Sequence, residues 1–408
     1  MLKIEENKEL FLKVVDIIAR SPSKKQALIK RGILTDEECS QVKKIELLTS
    51  DNMKGLENLT NLESLKVNHN FRSKLPKLVD YSFLKSMPNL KNLYLLQPNT
   101  SHIDLSNNKK LKRIDIFSSR ENLLVEGLEN IDCFTSNKGR ARINIQANIK
   151  NLTKLIDASN KKNTKNMTLD LFTLVREMHE HPSLLNLIIS KKNNINFSIP
   201  MNAHIYTPSE VLTIHNMVSD LKKELKFDQK DTLQKIMSIN KWLATQLEFD
   251  HETFGRESKG YSKKNDKIRD ILPVLKSKKG VCVGYSNIFC YVLQSEGIEA
   301  IPVSVISKSE GGHRIARVKD NNNNNNKWLY FDPTASRVMG NLWKYFALSK
   351  TQAERYYDMT NEEHIITPEA LDRKKLDEKI DELSRIDRGQ QINTIIPTSP
   401  KNVSTIKR

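Results

Sequence analysis

Cys282 lies in the stretch KKGVCVGYSNIF (278–289), two residues after Gly280, where an apolar helical pattern begins. His313 follows in GGHRIARV and Asp332 in WLYFDPTAS. A free thiol titrates near 8.5 and is mostly protonated at neutral pH, whereas the attacking species is the thiolate, so a nucleophilic cysteine needs help. A helix N-terminus and a neighbouring imidazolium both favour the anion, and the order of residues offers Cys282 both. A carboxylate beside the imidazole would orient the ring and support its positive charge, the part open to Asp332. The expectation is therefore a Cys282 pKa below that of a free cysteine, with the backbone N–H of Cys282 as an oxyanion donor. Cys290, deep in the same apolar run, reads as core packing.

The elements that must hold these residues are legible in the pattern. Val283 to Ser295 reads as a helix ended by Gly297. AIPVSVIS (300–307), HRIARVKD (313–320) and KWLYFDPT (327–334) read as strands, the last ended by Pro333 and the last two joined by the six asparagines 321–326. Pairing Val318 with Lys327 puts His313 opposite Asp332, Ile315 opposite Tyr330 and Arg317 opposite Trp328. Opposed residues share a sheet face about 4.5–5.5 Å apart at Cβ. Upstream, Thr207-Pro208-Ser209-Glu210 is a capping-box start for one helix, and about Lys230 to Leu247 carries apolar residues at helical spacing for a second.

In this order and context, GVCVGYSNIFCYVLQSEGIEAIPVSV, GGHRIARV and WLYFDPTAS resemble the transglutaminase-like superfamily of papain-fold proteins, in its bacterial branch. INKWLATQLEFD upstream and NLWKYFALSKTQAERYYDMT downstream extend the resemblance over residues 205–360. It implies a catalytic set of Cys282 as nucleophile, His313 as base and Asp332 as orienting group, on a helix packed against an antiparallel sheet. Where such proteins often have a small residue and then Trp after the histidine, Arg314 and Ile315 stand here. The thioester such a site forms can be resolved by water, giving proteolysis or deamidation, or by an amine, giving cross-linking. The triad is the same for all of these.

Earlier in the chain a motif recurs: Val42-Lys-Lys-Ile45-Glu-Leu47, Leu62-Glu-Ser-Leu65-Lys-Val67, Leu90-Lys-Asn-Leu93-Tyr-Leu95 and Leu111-Lys-Arg-Ile114-Asp-Ile116, with a weaker echo at Ile131-Asp-Cys133-Phe134. L-x-x-L-x-L at this period resembles leucine-rich repeats, each giving one short strand to a parallel stack, with 71–82 an insertion. The expected organisation is α+β: a helical cap at 1–40, a leucine-rich-repeat-like solenoid at 41–136 and a linker or helical region of uncertain fold at 137–204. A papain/transglutaminase-like domain at 205–360 and a charged helix with a disordered tail at 361–408 complete it. NLTKLIDASNKKNTKNM (151–167) reads as polar linker.

Composition narrows the partners. The 408-residue chain carries a formal charge of +17, but its lysines are spread throughout and aromatics are only 6%, so nucleic acid is not favoured. No apolar run is long enough to span a membrane. Four scattered cysteines and an amphipathic, acidic N-terminal segment argue for a reducing, cytoplasmic setting. His179 and His181 in MHEHPS read as a solvated pair rather than metal ligands, no calcium loop is visible, and no cofactor is expected. The expected partners are a protein or peptide substrate at the thiol and a protein partner on the repeats. The alternatives are a non-catalytic interaction scaffold and a secreted bacterial effector that modifies host proteins.

Overall fold

The computed structural model describes residues 1–69, 79–96, 98, 100–117, 123–132, 142–162, 167–189, 195–199, 204–258, 267–309, 311–320, 327–359 and 377–384. The chain forms two compact units, Met1–Leu212 and Thr213–Arg408.

The first unit opens with helices α1 (Lys8–Ile18) and α2 (Pro22–Arg31), capped by Asn7 and Ser21. Its main sheet then takes strands β1 (Lys44–Leu48), β2 (Ser64–Asn68), β3 (Asn92–Leu96), β4 (Arg113–Phe117) and β5 (Arg142–Gln146). Helix α3 (Leu152–Lys162), strand β6 (Met167–Asp170), helices α4 (Leu171–Glu180) and α5 (Ser183–Ile189), and strands β7 (Ile195–Ser198) and β8 (Ile205–Tyr206) follow. Strands β1 to β7 are parallel neighbours and β8 is antiparallel to β7. The register aligns one buried row across the sheet: Ile45, Leu65, Leu93, Ile114, Ile143, Met167 and Ile195. Each strand offers hydrocarbon at the same phase, so no strand buries its face without its neighbours.

Three expectations are corrected here. The fifth strand does not start at Ile131: Leu128–Asn130 is a short helical turn, and the strand comes later, at Arg142–Gln146. The region 137–204, expected as a linker or helical region of uncertain fold, supplies in its described residues three parallel strands as well as three helices of this sheet unit. Of the stretch read as polar linker, Leu152–Lys162 is a helix that buries Leu152, Leu155, Ile156 and Ser159, an i, i+3, i+4, i+7 face hidden among lysines and asparagines. Within the expected tail, 377–384 is helical, and the rest of 361–408 lies outside the described residues, as do Cys133 and the asparagine run 321–326.

Helix α6 (Pro208–Glu224) begins as the capping box predicts: the Glu210 carboxylate accepts from the Thr207 N–H at 2.9 Å, and Thr207 Oγ1 accepts from the Glu210 N–H at 3.3 Å. In the second unit, helix α7 (Thr232–Gln246) is capped by Asp231 and leads into strand β9 (Glu248–Phe249) and helix α8 (His251–Ser258). Helix α9 (Ile271–Ser277) and strand β10 (Lys279–Gly280), parallel to β9, deliver the chain to helix α10 (Cys282–Gln294). A four-stranded sheet then forms from β11 (Ala300–Ser307), β12 (Gly311–Asp320) and β13 (Lys327–Phe331), with helix α11 (Pro333–Val338) and edge strand β14 (Tyr357–Asp358) after them. Its order is β13-β12-β11-β14, antiparallel throughout.

The hairpin register differs from the expected one by two residues: Val318 pairs with Leu329, not Lys327, and Arg317 with Tyr330. Strand β12 runs on to Asp320, which pairs with Lys327. A slip of two preserves every residue's sheet face, because side chains alternate with period two. Ile315 and Tyr330 therefore still share a face and enter one core with Val303, Val305, Tyr345 and Tyr357. The opposite face carries Phe331, whose ring lies 5.6 Å from that of Phe289 on α10.

Candidate active site

Cys282 is the first residue of α10, and the packing of that helix end depends on glycine. A Cβ on Gly284 would stand 2.8 Å from the Ile268 carbonyl oxygen and 2.9 Å from a Val274 methyl. Any side chain there would push the helix start off its support. The N-cap is Val281, whose side chain makes no capping bond, unlike Asp231 on α7 and Asp332 on α11. The N–H groups of the first turn, Cys282's among them, thus lack a side-chain acceptor and favour an anion at that end.

The other three polar groups come from one face of the four-stranded sheet. His313 pairs with Val305 and Tyr357 with Ser307, both on the side-chain phase of Val303 and Ile315. Asp332 follows the last paired residue of β13, where the chain turns into α11. His313 Nε2 and Asp332 Oδ2 stand 2.7 Å apart. The same Oδ2 accepts a 2.6 Å bond from the Tyr357 hydroxyl, and Oδ1 accepts the Ala335 N–H at 2.9 Å. The Tyr357 ring stacks on the imidazole at 5.8 Å between centroids and 12° between planes. Cys282 lies close enough to His313 to raise its pKa and borders the same cleft; with Nε2 committed to Asp332, Nδ1 is the nitrogen left for the thiol. The structure thus brings all three predicted residues together, although the slipped register places His313 and Asp332 diagonally rather than directly opposite.

Burial sets the electrostatics. It would by itself push His313 towards its neutral form, but the Asp332 charge and hydrogen bond, with Cys282 beside it, outweigh this and hold the imidazole pKa well above its usual value. Asp332, 1% exposed, would be raised by burial; His313 and the hydrogen bonds from Tyr357 and Ala335 overcome that and lower it. Burial and the adjacent carboxylate push the Tyr357 hydroxyl up, so it stays a donor. Cys290, eight residues along the helix, has its thiol pushed well up by burial.

Tyr357 is the participant that the sequence reading missed. Its signal was present in ERYYDMT, but its place depends on a two-residue strand pairing with β11 on the sheet edge away from the hairpin. These residues border a cleft of about 310 Å³ whose wall includes Phe249, His251, Phe254, Thr334, Val338, Met339, Tyr345 and Tyr356. A larger hollow in the first unit, about 660 Å³ and lined by Asp51, Glu57, Asp80 and Phe83, holds neither thiol nor imidazole. The chemistry therefore points to the smaller cleft. Among the described residues no cluster of three or more His, Cys, Asp or Glu could hold a metal ion, and no helix is long and apolar enough to cross a membrane.

Comparison with known proteins places this geometry. Residues 219–333 match the family model of the transglutaminase-like superfamily, so this stretch, holding Cys282, His313 and Asp332, is a transglutaminase-like domain. Solved structures similar to the chain include a TGase, at 20% identity and a TM-score of 0.29 over 33% of this chain and 34% of that one. Another is a protein from Cytophaga hutchinsonii provisionally assigned as a cysteine protease, at 13% identity and a TM-score of 0.24 over 31% of this chain and 39% of that one. The chain spans little more than a third of the length of either, and no conclusion rests on them. No curated protein matches the chain.

Proposed function

We propose that this chain is a thiol-dependent acyl-transfer enzyme acting on carboxamides of proteins or peptides, with Cys282, His313 and Asp332 as its catalytic residues. The supporting observation is the hydrogen-bonded set His313–Asp332–Tyr357 bordering one cleft together with Cys282 at the start of α10. The Cys282 thiolate attacks the carbonyl carbon, and the oxyanion faces the first-turn N–H groups of α10. As the C–N bond breaks, the His313 imidazolium gives its proton to the departing amine or ammonia and a thioester remains. Water then attacks the thioester while His313 takes its proton; the carboxylate leaves and the thiol is restored. Hydrolysis or deamidation is the favoured outcome; a lysine amine in place of water would give a cross-link.

The parallel sheet of the first unit is read as a leucine-rich-repeat-like surface for a protein partner or substrate, and a reducing compartment suits the free Cys39, Cys282 and Cys290. The chemistry is equally suited to a bacterial effector working on host proteins. Mass spectrometry of candidate proteins incubated with wild-type and Cys282→Ala chains tests the reading, since cleavage, deamidation and cross-linking change mass differently. Identical spectra for the two chains, with Cys282 no more readily alkylated than Cys290, would leave a non-catalytic scaffold as the better account.

A further inference from the structure

We infer that the cleft selects an acyl donor set in an acidic segment, with Lys308 and Arg355 reading the flanking carboxylates. The inference rests on the acyl-transfer reading above and names the substrate class it requires. The two cations stand in the cleft wall with Cys282 and His313. They come from neighbouring strand ends: Lys308 follows β11, Arg355 precedes β14, and the Lys308 N–H donates to the Tyr356 carbonyl.

Within the wall, the carboxylate is Asp332, and it is already committed to His313, Tyr357 and the Ala335 N–H. Lys308 Nζ donates to the backbone carbonyl of Glu354, and among the described residues neither Lys308 nor Arg355 forms an ion pair with a carboxylate. A third cation, Lys344, lies 5.4 Å over the Tyr345 ring and 5.8 Å over that of Tyr356, both wall residues. Elsewhere in the same unit Lys222 and Lys235 both pair with Glu296, and Lys319 pairs with Glu299.

The rest of the wall differs in kind. Phe249 and Phe254, with Val338 and Met339 at the end of α11, are apolar members of the same wall, the last two 42% and 56% exposed. Low-dielectric walls beside unpaired cations concentrate the field at the mouth, so an acidic segment is drawn in and a basic one repelled. The cleft volume suits one side chain and its immediate neighbours rather than a folded surface. A glutamine carboxamide with Asp or Glu beside it suits a wall that mixes apolar side chains with these cations.

The test uses the full chain and three synthetic peptides, each with one central glutamine flanked by glutamates, serines or lysines. Deamidation and cleavage are followed by mass spectrometry. We expect kcat/KM for the glutamate peptide to exceed that for the lysine peptide by about tenfold, to fall towards parity in high salt, and to invert in Lys308→Glu/Arg355→Glu. A second arm needs no turnover: the rate of Cys282 alkylation by anionic iodoacetate relative to neutral iodoacetamide should drop severalfold in the same double variant. Equal turnover of the three peptides overturns the inference and leaves the acyl-transfer reading standing. If no peptide turns over, the alkylation arm decides, and a ratio unchanged by the double variant overturns it. Silence on every peptide together with unselective alkylation removes the acyl-transfer reading itself.

Discussion

The two main sheets of this protein use side-chain neighbours in opposite ways. Across the parallel sheet, strands at equal phase set like beside like, so the row through Leu65, Leu93, Ile114 and Ile143 is all hydrocarbon. Across the antiparallel sheet, chain reversal sets unlike beside unlike, and one face gathers His313, Tyr357 and Asp332 from separate stretches. Like beside like builds a continuous apolar row, whereas reversal here sets an imidazole, a carboxylate and a phenol within hydrogen-bond reach.

That contrast is broken most forcefully at the thiol. Cys282→Ala and His313→Ala should each lower turnover by at least about 10³-fold, and the double variant should be no worse than either single one, because members of such a set act as a unit. Circular dichroism and melting temperature should stay near wild type. Additive losses would mean that the two residues do not act on one reaction, and the contrast between the sheets would lose its meaning.

Asp332→Asn comes next. It keeps the shape but removes the charge and can impose the wrong ring tautomer, so turnover should fall by about 10²–10⁴-fold. Its pH signature is more telling. The folded-state pKa of His313 is raised, so its contribution to stability is complete below its unfolded value and is lost as pH rises through the folded one. That of Asp332 is lowered, so its contribution is present above its unfolded value and is lost as pH falls through the folded one. The pair therefore stabilises most between the two unfolded values. In the asparagine variant the lowering of His313 by burial loses its main opponent, so the alkaline limb of melting temperature against pH should move to lower pH. An unmoved limb would show that Asp332 does not hold the imidazolium.

In the parallel sheet the matching test is Leu93→Asp. Leu93 is 1% exposed between Leu65 and Ile114, so the change loses hydrocarbon burial and desolvates a charge, about 4 kcal/mol or more. Hydrogen exchange should rise in strands on both sides of β3. Damage confined to residues near 93 would contradict the shared row.

The same contrast explains what the sequence disclosed. Strands β1 to β4 were legible because L-x-x-L-x-L repeats at similar spacing, with each apolar residue announcing its own row. The sheet's continuation was not, since the strands RINIQ, MTLD and INFS keep a similar spacing but share no motif with the earlier ones. For His313 and Asp332 the shared face was legible from alternation alone, while the register was not, because two extra residue pairs close the hairpin, up to Asp320 with Lys327. Tyr357 was beyond reach, as it depends on which free sheet edge a short strand 25 residues after Asp332 joins.

The smallest effect sharpens the comparison most. Tyr357→Phe removes one hydroxyl and leaves the ring that stacks on His313. The loss of a hydrogen bond to a charged, buried carboxylate should cost about 1.5–3 kcal/mol of stability. Without that donor Asp332 is harder to ionise, because the bond from Tyr357 is among the causes that lower it. The acid limb of activity should therefore move to higher pH, the limb opposite to the one that Asp332→Asn displaces. The alkaline limb should hold or rise, since Oδ2 then serves His313 alone while Oδ1 keeps the Ala335 N–H. A purely structural tyrosine would lower melting temperature and shift neither limb. An acid limb that stays in place while stability falls would remove Tyr357 from the proton-holding series and leave it as packing beneath the imidazole.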